Sequence, residues 1–600
     1  MPIVHDARSK TFLLHTPATT YALGVGPLGS LLHLYWGPRV RDARTLLATL
    51  PIGDRAFCPS PDPKDRSVNL DALPQEYPVQ GRGDFRVAAV TAAFADGSRV
   101  FDLVFRGHRI VPGKPKLPGL PATYVERKGE ATTLEIDLAD RKSGLVATLS
   151  YTVFETRDAV ARSVSVRNGG KEPVLLESVL SASLDLPGSG YDFLQLSGAW
   201  ARERDFVRTP LRNGVQSVES RRGASSHQQN PFVALLDPRA GETHGEVYGL
   251  SLVYSGNFLA RAEVDQFGTT RLQIGINPFD FSWKLGPGEA FQAPEAVLVH
   301  SSEGLGGLSR TYHALYRERL ARGYWRDRER PVLINNWEAT YFDFDAAKLE
   351  AIARGAKKAG IELLVLDDGW FGKRNDDTTS LGDWTVDRKK LPKGLPDLSA
   401  RIRKLGLKFG LWFEPEMISP DSDLYRAHPD WCLHAPGRSR TAGRNQLVLD
   451  FSRKEVCDWA VKTVGAVLEE AKIDYVKWDM NRHLTEVGSA GLPADRQKET
   501  AHRHILGVYS VMERLTKKFP KVLFEGCSGG GGRFDPGILH YMPQTWASDN
   551  SDAISRLRIQ HGTSLVYPIS SMTAHVSAVP NHQHGRITPL KTRGDVATAG

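Results

Sequence analysis

From residue 332 onward the chain alternates between short apolar runs and longer amphipathic ones. The apolar runs cover residues 332–337, 363–368, 409–414, 475–479, 522–527, 544–549 and 565–569. Stretches with helical periodicity lie between several of them, at 346–359, 398–405, 455–471 and 499–519. Strands separated by helix-length connections pair in parallel, because a parallel crossover needs a dozen or more residues to return. Nearly every apolar run also ends in polar chemistry: Trp337 and Glu338, Asp367 and Asp368, Glu414 and Glu416, Lys477 and Asp479, Cys527, and Asp549. A (β/α)8 barrel collects its active site from the C-terminal ends of many strands, whereas a doubly wound sheet gathers its ligand contacts at one switch point. The distribution therefore predicts a barrel. Seven strands are counted before Gly600, so the expected barrel is truncated at its C-terminal end, without its last repeat.

Upstream of residue 325 the text changes character. From Thr11 to about Ser301 it is rich in β-branched and aromatic residues, in short runs broken by Gly, Pro and Asn. Leu31-Leu32-His33-Leu34-Tyr35-Trp36, Ala147-Thr148-Leu149-Ser150-Tyr151-Thr152-Val153 and Gly249-Leu250-Ser251-Leu252-Val253-Tyr254 are examples. Such a text predicts an all-β sandwich with large sheets. A helix over 308–322 and a basic segment through Arg330 lead to the second pattern. At 600 residues the chain is too long for one core, and the expected division is 1–325 and 326–600.

The 77 basic and 69 acidic residues leave a net charge of +8, with the two signs mixed throughout. A nucleic-acid protein would concentrate its basic residues in a patch or tail. The segment Met1-Pro2-Ile3-Val4-His5-Asp6-Ala7-Arg8 has no apolar core of a signal peptide, and no stretch approaches a membrane span. The four cysteines, Cys58, Cys432, Cys457 and Cys527, are far apart and form no CxxC pair. Reduced thiols in a cytoplasmic protein fit that pattern better than disulfides or a zinc site.

Two runs narrow the chemistry: Asp474-Tyr475-Val476-Lys477-Trp478-Asp479-Met480-Asn481-Arg482 and Gln544-Thr545-Trp546-Ala547-Ser548-Asp549-Asn550. Each reads as a strand that ends in a carboxylate. Two carboxylates at two strand tips suit glycosidic bond cleavage, one as nucleophile and one as proton donor; the bland rival is a helix cap or ion-pair partner. Asp367 and Asp368 can reach one ligand only where the strand ends, and Gly369 permits that turn. A metal-binding pair is the rival there, but no His or third carboxylate flanks it. Trp337, Trp412 and Trp546 either stack on a sugar face or fill the barrel. The four glycines after Cys527-Ser528 read as a loop of close backbone approach, and they lack the Lys-Ser/Thr ending of a phosphate loop. His575, His582 and His584 have no acidic or Cys partner in the sequence and read as loop or packing residues. No metal and no cofactor is expected.

Taken in order, several motifs make the chain resemble bacterial α-galactosidases of glycoside hydrolase family 36. They are Gln75-Glu76-Tyr77-Pro78, Ser225-Ser226-His227-Gln228-Gln229-Asn230-Pro231, Asn335-Asn336-Trp337-Glu338-Ala339-Thr340, Leu366-Asp367-Asp368-Gly369-Trp370-Phe371, Glu414-Pro415-Glu416-Met417, Gly443-Arg444-Asn445-Gln446, Lys477-Trp478-Asp479-Met480-Asn481 and Cys527-Ser528-Gly529-Gly530-Gly531. The resemblance covers essentially the whole chain. It implies an N-terminal β-supersandwich, a (β/α)8 barrel and a C-terminal antiparallel β-domain, the last of which this chain is expected to lack.

The resemblance also implies roles: Asp479 as nucleophile and Asp549 as acid/base. Lys477, two residues before Asp479, would lie on the same side of the strand and favour an ionised nucleophile. Asp549 must instead hold a proton near neutral pH. Implied substrate contacts are Trp337, Asp367, Asp368, Trp412, Arg444, Lys477, Trp478, Met480, Asn481, Cys527 beside the C2 hydroxyl, Gly529 and Trp546. Asp54 and Trp200 match binding positions in the β-domain, which in this family a neighbouring subunit can contribute, implying a homotetramer. The implied reaction is retaining hydrolysis of melibiose, raffinose, stachyose and related α-galactosides. A raffinose-synthase-like galactosyl transferase, an α-N-acetylgalactosaminidase and a non-catalytic sugar-binding protein are the rivals.

Overall fold

The structure is a computed structural model that describes residues 2–42 and 44–599. Its N-terminal part is antiparallel sheet: one of four strands from Ile3–Asp6 to Leu31–Pro38, one of six strands and one of ten. Alternation makes the inner faces. In Ala131–Ala139, Leu134, Ile136 and Leu138 are buried, while Glu135 and Asp137 turn outward and pair with Arg109. Glu76, from the first of the motifs, sits at the centre of this part. It takes the hydroxyls of Tyr21 at 2.7 Å and Tyr151 at 2.8 Å and pairs with fully buried Arg162. A carboxylate at that depth is tolerated because it is both paired and hydrogen-bonded.

The second part is a parallel sheet of seven strands: β1 (Leu333–Asn335), β2 (Leu363–Leu366), β3 (Lys408–Phe413), β4 (Tyr475–Trp478), β5 (Leu523–Gly526), β6 (Gln544–Trp546) and β7 (Met572–Thr573). They pair in chain order and every neighbour is parallel, so the sheet has no switch point. The longer connecting helices are α1 (Ala346–Lys358), α2 (Gly394–Lys404), α3 (Lys454–Glu470), α4 (Thr500–Lys518) and α5 (Ala553–Ser564). Sequence explains their bounds. In α1 the Asp345 side chain accepts the Lys348 N–H, Leu349, Ala353 and Ala356 form the buried stripe, and Lys357 and Lys358 face the carbonyl end.

One expected strand is elsewhere. Residues 565–569 are not β structure, because the Tyr567 N–H bonds back to Thr563 O at 3.1 Å, prolonging the turns of α5 until Pro568. The strand comes at Met572–Thr573 instead.

The two parts share a core in which Leu194, Phe232 and Tyr312 pack with Phe534, Leu539 and Tyr567. At their seam Asp535 caps the short helix Pro536–Leu539 and takes the hydroxyls of Ser225 at 2.6 Å and Ser255 at 2.7 Å. Among the described residues no helix is long and apolar enough to cross a membrane.

Candidate active site

Strand alternation in β4 turns Lys477 inward and Trp478 outward, and the chain then leaves the strand with Asp479 inward. Asp479 is 6% exposed and held on both oxygens. Its Oδ2 accepts the Trp412 indole N–H at 3.0 Å, and its Oδ1 accepts the N–H groups of Met480 at 2.9 Å and Gly529 at 3.2 Å. Burial alone would raise its pKa, but the charges of Lys477 and Arg444 and the Trp412 hydrogen bond hold it below the usual carboxylate range. The opposite holds for Glu414 at the end of β3: burial, and then the charge of Asp479, push it up to about 7. Its Oε1 accepts Gln446 Nε2 at 2.7 Å and the Asn481 N–H at 2.5 Å. Two carboxyls thus share one buried region, and Asp479 carries the charge.

Asp549 follows β6 and is half-buried. Its Oδ1 accepts the Trp546 indole N–H at 3.1 Å, and its Oδ2 accepts that of Trp200 at 3.0 Å. The glycine run after β5 lets this loop pass close by. A Cβ on Gly530 would lie 2.5 Å from the Asp549 amide nitrogen, and one on Gly531 only 2.2 Å from Ala547 O. The close approach is therefore chiefly between protein loops, with Gly529 also facing the cavity.

Asp367 and Asp368 leave β2 together, and Gly369 makes the turn with φ of 104°. Asp367 Oδ2 takes the Lys477 ammonium at 3.0 Å and Asn335 Nδ2 at 2.5 Å. Burial favours a neutral Lys477, yet Asp367 and the other negative groups around it keep its pKa well above the ordinary value. Asp368 is gripped by both ends of Arg374, at 2.5 and 2.8 Å, with Arg444 at 4.0 Å. Burial still raises its pKa. Arg444 and Asn445 form a tight hairpin with φ of 52° and 58°, closed by bonds between Gly443 and Gln446. Left-handed backbone at two non-glycine residues is held there by the surrounding contacts, and it presents Arg444 to the cavity.

These groups line one cavity of about 1400 Å³. Trp200, Trp337, Asp367, Asp368, Trp412, Arg444, Lys477, Asp479, Met480, Asn481, Gly529, Trp546 and Asp549 are all on its wall. Three expected contacts are not. Trp478 points to the opposite face of the strand, fully buried, with its indole N–H on Glu416 at 2.8 Å. Cys527 is buried at 3% exposure behind the wall, and burial pushes its thiol pKa well up. Asp54 lies on the surface, 3.4 Å from Arg66. Trp200 reaches Asp549 of its own chain, so within the described residues it needs no neighbour to enter the site.

Two of the histidines expected to lack an acidic partner have one, from the strand end that carries Glu338. Glu338 lines the cavity and faces His575 and His582, each at 3.4 Å. Burial would raise the Glu338 pKa, but these two imidazoles and Ser551 keep it below its ordinary value. His584 instead meets Asn550 at 3.1 Å. Among the described residues no cluster of His, Cys, Asp and Glu could hold a metal ion. Asn335 and His227 lie within family motifs without a role of their own to mark them in the sequence, and Arg374 lies in none.

Comparison with known proteins places this geometry. The Melibiase family profile matches residues 290–600, and the glycosyl hydrolase family 36 N-terminal domain matches residues 29–286. Alpha-galactosidase AgaA of Geobacillus stearothermophilus is 60% identical over 600 residues, covering 100% of this chain and 82% of the relative. The crystal structure of that GH36 enzyme superposes with a TM-score of 0.97 at 61% identity, over 98% of this chain and 82% of the other. A variant of it in complex with raffinose gives a TM-score of 0.98 at 60% identity, with the same coverage of 98% and 82%.

Proposed function

The chain belongs to glycosyl hydrolase family 36, and from that premise we propose that it is an α-galactosidase working by retaining double displacement. The observation that carries the mechanism is the unequal setting of its two strand-end carboxylates. Both accept N–H donors on each oxygen, but Asp479 is buried beside the charges of Lys477 and Arg444, which keep it ionised, as a nucleophile must be. Asp549 is half-buried between two indoles and faces the same cavity with no ion-pair partner among the described residues, the setting proposed here for the acid/base. Asp479 attacks the anomeric carbon while Asp549 protonates the departing oxygen. Asp549 then takes a proton from water, whose oxygen displaces Asp479 and releases galactose with the α configuration retained. The cycle as written uses no metal or organic cofactor.

Asp367, Asp368, Arg444 and Lys477 supply hydrogen bonds to the galactose hydroxyls, and the indoles of Trp337, Trp412 and Trp546 supply apolar faces. The substrates are terminal α-galactosides such as melibiose, raffinose and stachyose. The β-supersandwich occupies 1–325 and the catalytic unit 326–600, and β1–β7 are the strands of a (β/α)8 barrel. The enzyme is a cytoplasmic homotetramer in which Asp54 reaches the sugar of a neighbouring subunit.

Product analysis tests the reading. NMR of the first turnovers on raffinose should show α-galactose. Asp479→Asn should lose activity on all substrates. Asp549→Asn should keep far more activity on an activated aryl galactoside than on raffinose, and added azide should yield α-galactosyl azide. Initial release of β-galactose would sink the mechanism.

A further inference from the structure

The loops that carry both catalytic candidates are gripped from behind by the N-terminal β part. On the Asp549 side the grip comes from the hairpin joining Asp192–Ala199 to Arg202–Pro210. Ala201 and Arg204 in it adopt φ of 64° and 56°, values that a non-glycine residue keeps only when its surroundings impose them. Glu203, fully buried, accepts the Ser548 hydroxyl at 2.5 Å, and Ser548 Oγ in turn accepts the Asn550 N–H at 3.1 Å. Ala201 O accepts Asn550 Nδ2 at 3.0 Å, and Arg204 donates to the carbonyls of Gly531 and Ala547. Residues on both flanks of Asp549 are thus tied to one hairpin. Gly530 completes the fit, since a Cβ there would lie 2.5 Å from the Asp549 nitrogen and 3.0 Å from Glu203 Oε1.

The Asp479 side has its own tie. His227 Nε2 lies 2.7 Å from Gly529 O, and the Gly529 N–H is one of the donors to Asp479 Oδ1. Gly532 leaves room for that imidazole, because a Cβ there would sit 2.5 Å from His227 Cε1.

We propose that the N-terminal β part is a working half of the active site, in which Glu203 positions Asp549 through Ser548 and His227 positions Asp479 through Gly529. The inference rests on the roles proposed above for the two aspartates. Glu203 is a positioning residue, since it is fully buried and absent from the cavity wall. The two ties should differ in signature. A displaced acid/base matters only when the leaving group needs a proton, whereas a displaced nucleophile matters for every substrate.

The test compares kcat/KM on raffinose with that on an activated aryl α-galactoside, alongside thermal unfolding, for Glu203→Ala, Ser548→Ala and His227→Ala. Glu203→Ala and Ser548→Ala should lose roughly 10- to 100-fold on raffinose and about 3-fold or less on the aryl galactoside. Glu203→Gln, which keeps an acceptor for Ser548, should recover most of the raffinose activity. His227→Ala should lose about 10-fold on both substrates, and His227→Gln, which keeps a donor for Gly529 O, should recover both. A purely structural role would lower both substrates alike in the Glu203 and Ser548 variants, and that result overturns the proposal. If Glu203→Ala does not fold, Ser548→Ala, which removes a single hydroxyl, decides. Asp549→Asn, assayed in parallel, separates the two levels. If it discriminates between leaving groups and the Glu203 and Ser548 variants do not, only this inference fails. If it does not discriminate, the acid/base reading falls and takes this inference with it.

Discussion

Trp412→Phe is the most direct probe of how Asp479, the proposed nucleophile, is tuned. The indole N–H is the donor at 3.0 Å to Asp479 Oδ2, and phenylalanine keeps most of the ring packing while removing that donor. A hydrogen bond to a charged group contributes about 1.5–3 kcal/mol. At about 1.4 kcal/mol per pKa unit, its loss should raise the Asp479 pKa by roughly 1–2 units. The sign follows from the state that is favoured. The bond stabilises the carboxylate, and the folded pKa lies below the unfolded one. Removing the donor raises the folded pKa, so the acid limb of kcat/KM moves to higher pH. The stability contributed by ionised Asp479, present above the unfolded pKa and lost as pH falls through the folded one, should shrink over the same window. The limb belongs to the Asp479–Glu414 pair, so it should be read as a macroscopic value. The assay is the pH profile on an activated aryl galactoside, where protonation of the leaving group does not limit the rate. A uniform fall in kcat/KM with an unmoved acid limb would show that the indole serves only as a packing or stacking surface.

Other substitutions follow from the same geometry. Glu414 keeps its proton up to about 7, whereas in the unfolded chain it ionises near 4.5, so wild-type stability falls as pH rises between those values. Glu414→Gln removes that fall, and its thermal unfolding midpoint should gain on the wild type between about pH 5 and about pH 8; parallel curves would refute the protonated state. Arg374→Ala leaves Asp368, 2% exposed, without its two-pronged partner, which costs on the order of 3–5 kcal/mol. Galactose affinity by calorimetry should fall with stability, and an unchanged affinity would mean that Asp368 does not depend on Arg374. Cys527 is buried with a raised pKa while Cys58 is partly exposed, so thiol reagents should modify Cys58 first and leave activity intact. Early, galactose-protectable loss through Cys527 labelling would contradict that.

What the sequence disclosed tracks how local each cause is. The change of character near residue 325 and the βα alternation were legible because burial on a strand or a helix stripe writes its period directly into the text. Asp479 and Lys477 were legible for the same reason, being two residues apart at one strand end. Trp478 shows the limit of reading a motif as a block. It stands between two cavity residues, but the period of two that brings them inward sends its indole to Glu416. The strand expected at 565–569 failed because a short apolar run next to a helix does not reveal whether it continues the helical turns, and here Tyr567 does. The least legible features were contacts made across hundreds of residues. Glu414 was read as one more polar strand end, and only the approach of β3 to β4 turns it into the protonated partner of Asp479. The glycine run marks close backbone approach in the sequence, and the structure shows that what approaches is mostly Asp549, Ala547 and His227. Glycine reports that something comes close, and tertiary structure decides what. The loops of this site are shaped as much by one another and by the β part behind them as by the cavity they enclose.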